Sequence, residues 1–374
     1  MESETLFASE SVTEGHPDKV CDYISDSILD AYLELDRSDG ALGRSRVAVE
    51  TICKTNLVVL AGEITSGEQL DHVAIVRHAV REIGYVDADD PFHADGVFVL
   101  EAITPQAAEI AQGVDREARA LGAGDQGIMF GYASDETPEL MPLPILLAHR
   151  LAAGLAQDRK DRVVDWSRPD GKTQVTVAYR GARPVRVAQV LVSTQHAPDV
   201  AQDVIRDYVA DSLGPRVLGD WWSSDVEVLV NPTGSFEKGG PSVDSGLTGR
   251  KIIVDAYGGM AHHGGGAFSG KDPTKVDRSG HYWCRLIARK VVRAGLASRA
   301  EVRVGYAIGR PQPMFVDVET FGTGDADEAA AFVRGFSFKP ADMIQELGLW
   351  TDVEYRRTTN YGHFGRPGFP WEGD

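Results

Sequence analysis

The chain has 374 residues, 43% hydrophobic and 25% charged, which exceeds the size at which one core usually stops growing and predicts two to three folded domains. Its net charge of −18 argues against nucleic acid and membrane surfaces as partners, one small basic patch apart. No apolar run approaches the roughly 20 residues of a membrane span, the acidic start Met1-Glu2-Ser3-Glu4 is no signal peptide, and Cys21, Cys53 and Cys284 form no Cys-x-x-Cys pair, so a cytoplasmic protein with reduced, buried thiols is expected.

Pro17 opens a helix that runs to about Leu35, with Asp18 at its positive end and Val20, Ile24, Ile28 and Ala31 at helical spacing. Strands over 47–52 and 57–60 flank a Thr55-Asn56 turn, and Leu70, Val73, Val76, Val80 and Ile83 mark a helix ending at Gly84. The same order returns as a helix over 142–157, strands over 174–179 and 185–192, and a helix over 199–212. It returns again as a helix over 276–294, strands over 302–308 and 315–318, and a helix over 325–334. Three α-β-β-α units predict an α+β fold of three similar domains in a pseudo-threefold arrangement, with helices covering mostly antiparallel sheets. Cuts near Thr104 and Asn231 give domains 1–104, 105–230 and 231–374. The apolar runs 97–103, 128–132, 226–230 and 252–256 are expected to add strands or to line a site.

Glycine, at 40 residues, exceeds its usual share of about 7% and clusters beside charged residues, where a backbone can approach phosphate closely. Gly122-Ala123-Gly124-Asp125-Gln126-Gly127 fits the dinucleotide fingerprint only formally. It follows the helix-like 115–121 and enters the apolar Ile128-Met129-Phe130, the reverse of a Rossmann strand-to-helix turn. Gly265 to Asp272 is one residue from a phosphate-binding Walker loop, but Asp272 stands where a Mg²⁺-binding hydroxyl belongs and Pro273 where the helix should begin. A third stretch, Gly239 to Lys251, ends in adjacent cations; with Lys271, Lys275 and Arg278 it points to a polyphosphate ligand.

Four long stretches, Ser9 to Lys19, Gly122 to Gly131, Gly246 to Asp255 and Gly264 to Asp277, resemble the methionine adenosyltransferase family in its own order, and the resemblance covers nearly the whole chain. It implies that the sulfur of methionine attacks C5′ of ATP, expelling tripolyphosphate that is then hydrolysed to pyrophosphate and phosphate. A thioether has no proton to remove, so stabilising the leaving charge is the main catalytic task.

The resemblance also implies site residues. His16 would lie at the bond being broken, and Asp18 and Asp277 would bind two Mg²⁺ per site. Lys19, Arg250, Lys251, Lys271 and Lys275 would hold the triphosphate, with His16, Lys19, Arg250 and Lys271 catalytic. Asp125, Asp170 and Lys172 would surround nucleoside and phosphates, and Phe236 would stack on adenine. Glu63, Gln106, Asp244, Lys275 and Ile308 would meet methionine, Asp244 touching ATP as well, and Glu50 would bind one K⁺ per subunit. A homo-oligomer is implied, a dimer with shared active sites that pairs into tetramers.

The chain departs from the family at Gln106-Ala107-Ala108-Glu109, at Gly96-Val97-Phe98, at Ser235 where an arginine is usual, and at the bulky His281, Tyr282 and Trp283. A P-loop-like ATPase and a silent binding homologue are the rival readings. Retention of His16, Asp18, Lys271 and Asp277 argues against the silent one.

Overall fold

A computed structural model describes residues 3–106 and 121–373, so Ala107, Ala108, Glu109 and most of the helix-like 115–121 segment lie outside the described residues. The first unit comprises β1 (Thr5–Val12), α1 (Pro17–Ser38), β2 (Arg46–Lys54), β3 (Leu57–Thr65), α2 (His72–Ile83) and β4 (Phe98–Thr104). The second comprises β5 (Gly127–Ser134), α3 (Leu143–Lys160), β6 (Ser167–Arg180), β7 (Arg183–His196), α4 (Gln202–Tyr208) and β8 (Glu227–Val230). The third comprises β9 (Gly246–Leu247), α5 (Ile252–Asp255), α6 (Val276–Arg293), β10 (Arg299–Tyr306), β11 (Phe315–Glu319), α7 (Ala326–Val333) and α8 (Pro340–Glu346). The expected α-β-β-α order is therefore present in each unit, preceded by a strand.

That leading strand serves a neighbour. β1 pairs antiparallel with β6, from Thr5 opposite Tyr179 to Val12 opposite Lys172. β5 pairs with β10, from Gly127 opposite Tyr306 to Ser134 opposite Arg299. β9 closes the cycle on β2, with Leu247 opposite Ile52 and Gly246 opposite Cys53. The sheets are thus β1-β6-β7-β8, β5-β10-β11 and β9-β2-β3-β4, antiparallel except where β4 joins β3 and β8 joins β7. Cuts at Thr104 and Asn231 fall between elements, yet each would part a leading strand from the sheet it completes. The first long helix of each unit covers its own hairpin and the borrowed strand: α1 lies on β2 and β9, α3 on β6 and β1, α6 on β10 and β5.

The core follows the two periodicities. Val20, Cys21, Ile24 and Ile28 form one stripe of α1 and meet Val47, Val49, Cys53, Val58 and Leu60 from alternate positions of the β2–β3 hairpin. Cys21 and Cys53 are free buried thiols 3.2 Å apart. Arg278 on α6 reaches α1 through two 2.7 Å bonds to Asp26, both side chains buried, so removing either partner would cost about 3–5 kcal/mol.

Of the apolar runs expected to add strands or to line a site, one adds no strand. Residues 252–256 form a single helical turn, α5, because its acidic end faces inward: Asp255 meets the buried ammonium of Lys19, while Ile253 is left exposed. The β2 edge that a strand there could have joined is already taken by β9. Among the described residues no helix is long and apolar enough to cross a membrane.

Candidate functional site

Where β1 ends, the chain turns sharply through Thr13-Glu14-Gly15-His16. Thr13 fastens this turn to β6, its N–H donating to Gly171 O at 3.0 Å and its hydroxyl to Pro169 O at 2.7 Å. Gly15 packs so close to Pro169 that a Cβ would lie 2.3 Å from the Pro169 carbonyl carbon, which excludes any other residue. Glu14 is tied to the end of α3 by Arg159 at 2.6 Å and Lys160 at 2.8 Å.

His16 then caps α1, with Nδ1 accepting the Asp18 N–H at 3.2 Å. The remaining proton of a neutral ring is accordingly on Nε2. Burial, followed by the charges of Lys251 and Lys172, pushes the imidazole pKa down to about 3 against the opposing pull of Asp18. His16 is therefore a neutral N–H donor at physiological pH.

Asp18 gathers the cations. Its Oδ2 accepts from Lys251 Nζ at 2.7 Å, its Oδ1 accepts the Leu247 N–H at 3.1 Å, and Arg250 stands 3.6 Å away. Burial alone would raise its pKa; the bond and charge of Lys251 outweigh that and hold the carboxyl below its usual range. Lys172 is exposed on β6 beside the His16 turn. Asp170 is buried, accepts the Gly240 N–H at 2.8 Å through Oδ2, and leaves Oδ1 buried without a partner. Its pKa is raised to about 6, mainly by burial. Gln195 joins Asp170 to Glu237, next to the half-buried Phe236, while Asp244 is exposed and accepts the Ser245 N–H at 2.8 Å. Six elements or loops thus bring His16, Asp18, Asp170, Lys172, Phe236, Asp244, Arg250 and Lys251 into one cluster.

A second cluster forms at the start of α6. Lys271 pairs with Asp277 in the first helical turn. Lys275 donates to Asp272 at 2.6 Å, and Asp272, wholly buried, also accepts from the Val47 N–H and the Thr274 N–H, each at 2.8 Å. The residue that spoils the Walker pattern is thus a bracket that fixes β2 and Lys275. Glu50, Glu63, Ala48, Ala61, Ser269 and Lys271 face a cavity of 210 Å³, and the Ser269 hydroxyl is buried there without a partner. Gln106 donates its N–H to Thr65 Oγ1 at 3.0 Å, just past the end of the strand that carries Glu63. The Gly122–Gly127 loop enters strand β5 rather than a helix. It lies against Thr274 and exchanges main-chain bonds with Gly309 and Arg310, which sets exposed Asp125 and Ile308 beside this cluster.

Lys19 is brought to neither cluster, which corrects its expected place on the triphosphate. Its ammonium is fully buried between Asp22, at 3.1 Å, and Asp255; burial would lower its pKa, but the two carboxylates raise it. One residue along a helix turns the side chain by about 100°, so while Asp18 faces the cations Lys19 faces the core and ties α1 to α5. Ser269 was not singled out in the sequence; its position within the Gly265–Asp272 stretch was the available signal.

Among the described residues, no hydrogen bond or ion pair joins the first cluster to the second, and no three His, Cys, Asp or Glu side chains converge as a metal cage. The first cluster instead holds the Lys251–Asp18 pair, and the second holds Lys271–Asp277 beside the structural Lys275–Asp272 bracket.

Family models described as the N-terminal, central and C-terminal domains of S-adenosylmethionine synthetase match residues 4–108, 120–236 and 238–373. The chain is 54% identical to an S-adenosylmethionine synthase of Akkermansia muciniphila, over 98% of this chain and 94% of that relative. It is 52% identical to one of Thermus thermophilus, over 98% and 95%, and 52% identical to one of Sorangium cellulosum, over 98% and 87%.

Proposed function

The chain belongs to the S-adenosylmethionine synthetase family and is a methionine adenosyltransferase, and from that premise we propose how its two clusters share the reaction. The methionine sulfur attacks C5′ of ATP, the C5′–O bond breaks, and its electron pair leaves with the triphosphate. No base is needed, since the sulfur becomes a sulfonium without losing a proton. The Nε2–H of His16 meets the departing oxygen.

The observation that carries this reading is the pair of matched ion pairs, Asp18–Lys251 and Lys271–Asp277. Each is a neutral unit whose halves would part on binding: the lysine would turn to a phosphate oxygen, and the carboxylate would then be free to hold a divalent cation whose remaining charge the phosphates offset. One hard carboxylate per ion suits Mg²⁺, which takes its other oxygens from phosphate and water. Bound Mg²⁺ would neutralise charge on the leaving chain. Arg250, Lys172 and Lys275 complete the set of cations, and the same set serves hydrolysis of tripolyphosphate to pyrophosphate and phosphate.

The unpartnered Oδ1 of Asp170 and the ring of Phe236 suit the nucleoside, and Asp125 borders it. Glu63 suits the ammonium of methionine, with Gln106, Asp244 and Ile308 around it, and Glu50 offers K⁺ a carboxylate in the 210 Å³ cavity. The outer face of β9-β2-β3-β4 carries exposed Ile52, Leu57, Phe98 and Leu100 on the same side as Glu50 and Glu63. We propose that two copies meet across this face and set the first cluster of one protomer against the second cluster of its partner, which would complete each site.

The test incubates purified protein with ATP, methionine, Mg²⁺ and K⁺. Mass detection should find S-adenosylmethionine, with pyrophosphate and phosphate in equal amounts, and chelating Mg²⁺ should stop its formation. ATP hydrolysis that ignores methionine and yields no sulfonium would establish the ATPase reading instead.

A further inference from the structure

The Tyr85 hydroxyl bonds to a main-chain carbonyl rather than to any of the side chains assigned above to substrate, and it stands between the two loops that carry them. The main chain fixes it just past α2, its N–H donating to Val80 O at 3.2 Å and its carbonyl accepting the Ala94 N–H at 2.9 Å. Its ring is buried edge-on against Phe92, with centroids 5.2 Å apart. The hydroxyl donates to Gly15 O at 2.6 Å, one residue before His16. That carbonyl lies outside the first turn of α1, whose bonding begins with Val20 N–H to His16 O.

On its other side the hydroxyl abuts Gly240, where a Cβ would lie 2.1 Å from the tyrosine oxygen and where φ is +64°. Gly240 is the pivot of the nucleoside loop. Its N–H is held by Asp170 at 2.8 Å, and its carbonyl accepts the N–H of Asp244 at 3.1 Å. Only a glycine lets this loop settle on the tyrosine oxygen.

We propose that Tyr85 is a positioning residue for the transfer step: one hydroxyl registers the His16 turn against the Gly240 loop, so the imidazole and the nucleoside stay in fixed relation. The inference rests on the reading of His16 as donor to the leaving oxygen. Without the hydroxyl both loops keep their anchors on β6, Thr13 at Pro169 and Gly171 and Gly240 at Asp170, but they lose the one direct contact that sets the Gly15 carbonyl against Gly240, so their register is loosened rather than lost. Misplacement on that scale weakens a step that needs exact alignment more than it weakens binding.

The experiment compares wild type, Tyr85→Phe and His16→Ala. Tyr85→Phe removes a single oxygen and should slow single-turnover sulfonium formation about tenfold. KM for methionine and hydrolysis of added tripolyphosphate, which need the cations but not the departing C5′ oxygen, should stay within about twofold, and the thermal midpoint within about 3 °C. A transfer rate near wild type in Tyr85→Phe, with His16→Ala impaired, would overturn the inference. A parallel fall of transfer and tripolyphosphate hydrolysis would overturn it too, by showing only a support of the fold. Normal transfer by His16→Ala would mark a different failure, that of the imidazole's role, and would remove the basis for the register.

Discussion

Lys271→Ala is expected to lower sulfonium formation by about 10²- to 10³-fold, the range seen when one preorganised donor to a developing negative charge is removed. The side chain is the cationic half of the Lys271–Asp277 pair and also faces the cavity with Glu50 and Glu63. The main chain at this position bridges to Ala48, and Gly270 beside it accepts the Val49 N–H at 3.0 Å; neither contact involves the side chain. The fold should therefore survive, with a thermal midpoint close to wild type, while single-turnover transfer measured by mass collapses. Turnover near wild type would take this lysine out of the chemistry.

Asp18→Asn is expected to cost about 10²-fold or more in transfer and to raise the Mg²⁺ concentration needed for half-maximal rate. An asparagine oxygen can still accept the Leu247 N–H now held at 3.1 Å, so the docking of β9 on β2 is retained. The negative charge is not. Lys251, now 2.7 Å from that carboxylate, loses its counter-charge, and the site loses the hard ligand assigned to the cation. A Mg²⁺ titration of transfer rate separates the two effects, since a lost ligand shifts the midpoint and a lost positioning contact lowers the plateau. An unchanged midpoint would show that Asp18 does not hold the metal.

Much of this arrangement was legible in the sequence because local rules govern it. Pro17 at the first helical position, the alternation through β2 and β3, and the left-handed Gly84 at the end of α2 all appear where composition put them. What was not legible depends on partners distant in the chain. β9 has only two residues and carries no hydrophobic alternation, and β1 shares its residues with the His16 motif, so neither shows as a strand until β2 and β6 supply the other half of the ladder. Lys19 illustrates the same gap at the site. Its neighbour Asp18 is in the same motif, but helical rotation and two distant carboxylates, Asp22 and Asp255, decide that it serves the core. Nor could spacing show that the expected ligands divide into two clusters, because one sheet serves both: Arg250 and Lys251 follow β9, while Glu50 and Glu63 lie on β2 and β3 beside it.

That division yields the decisive experiment. Asp18 belongs to the first cluster and Lys271 to the second, so in a shared site Asp18→Asn and Lys271→Ala chains fail for complementary reasons. Co-refolding the two inactive variants in equal amounts should restore about a quarter of wild-type transfer, since half of the dimers are mixed and each mixed dimer holds one intact site. Activity of the mixture no higher than that of the separate variants would contradict a site completed across two protomers.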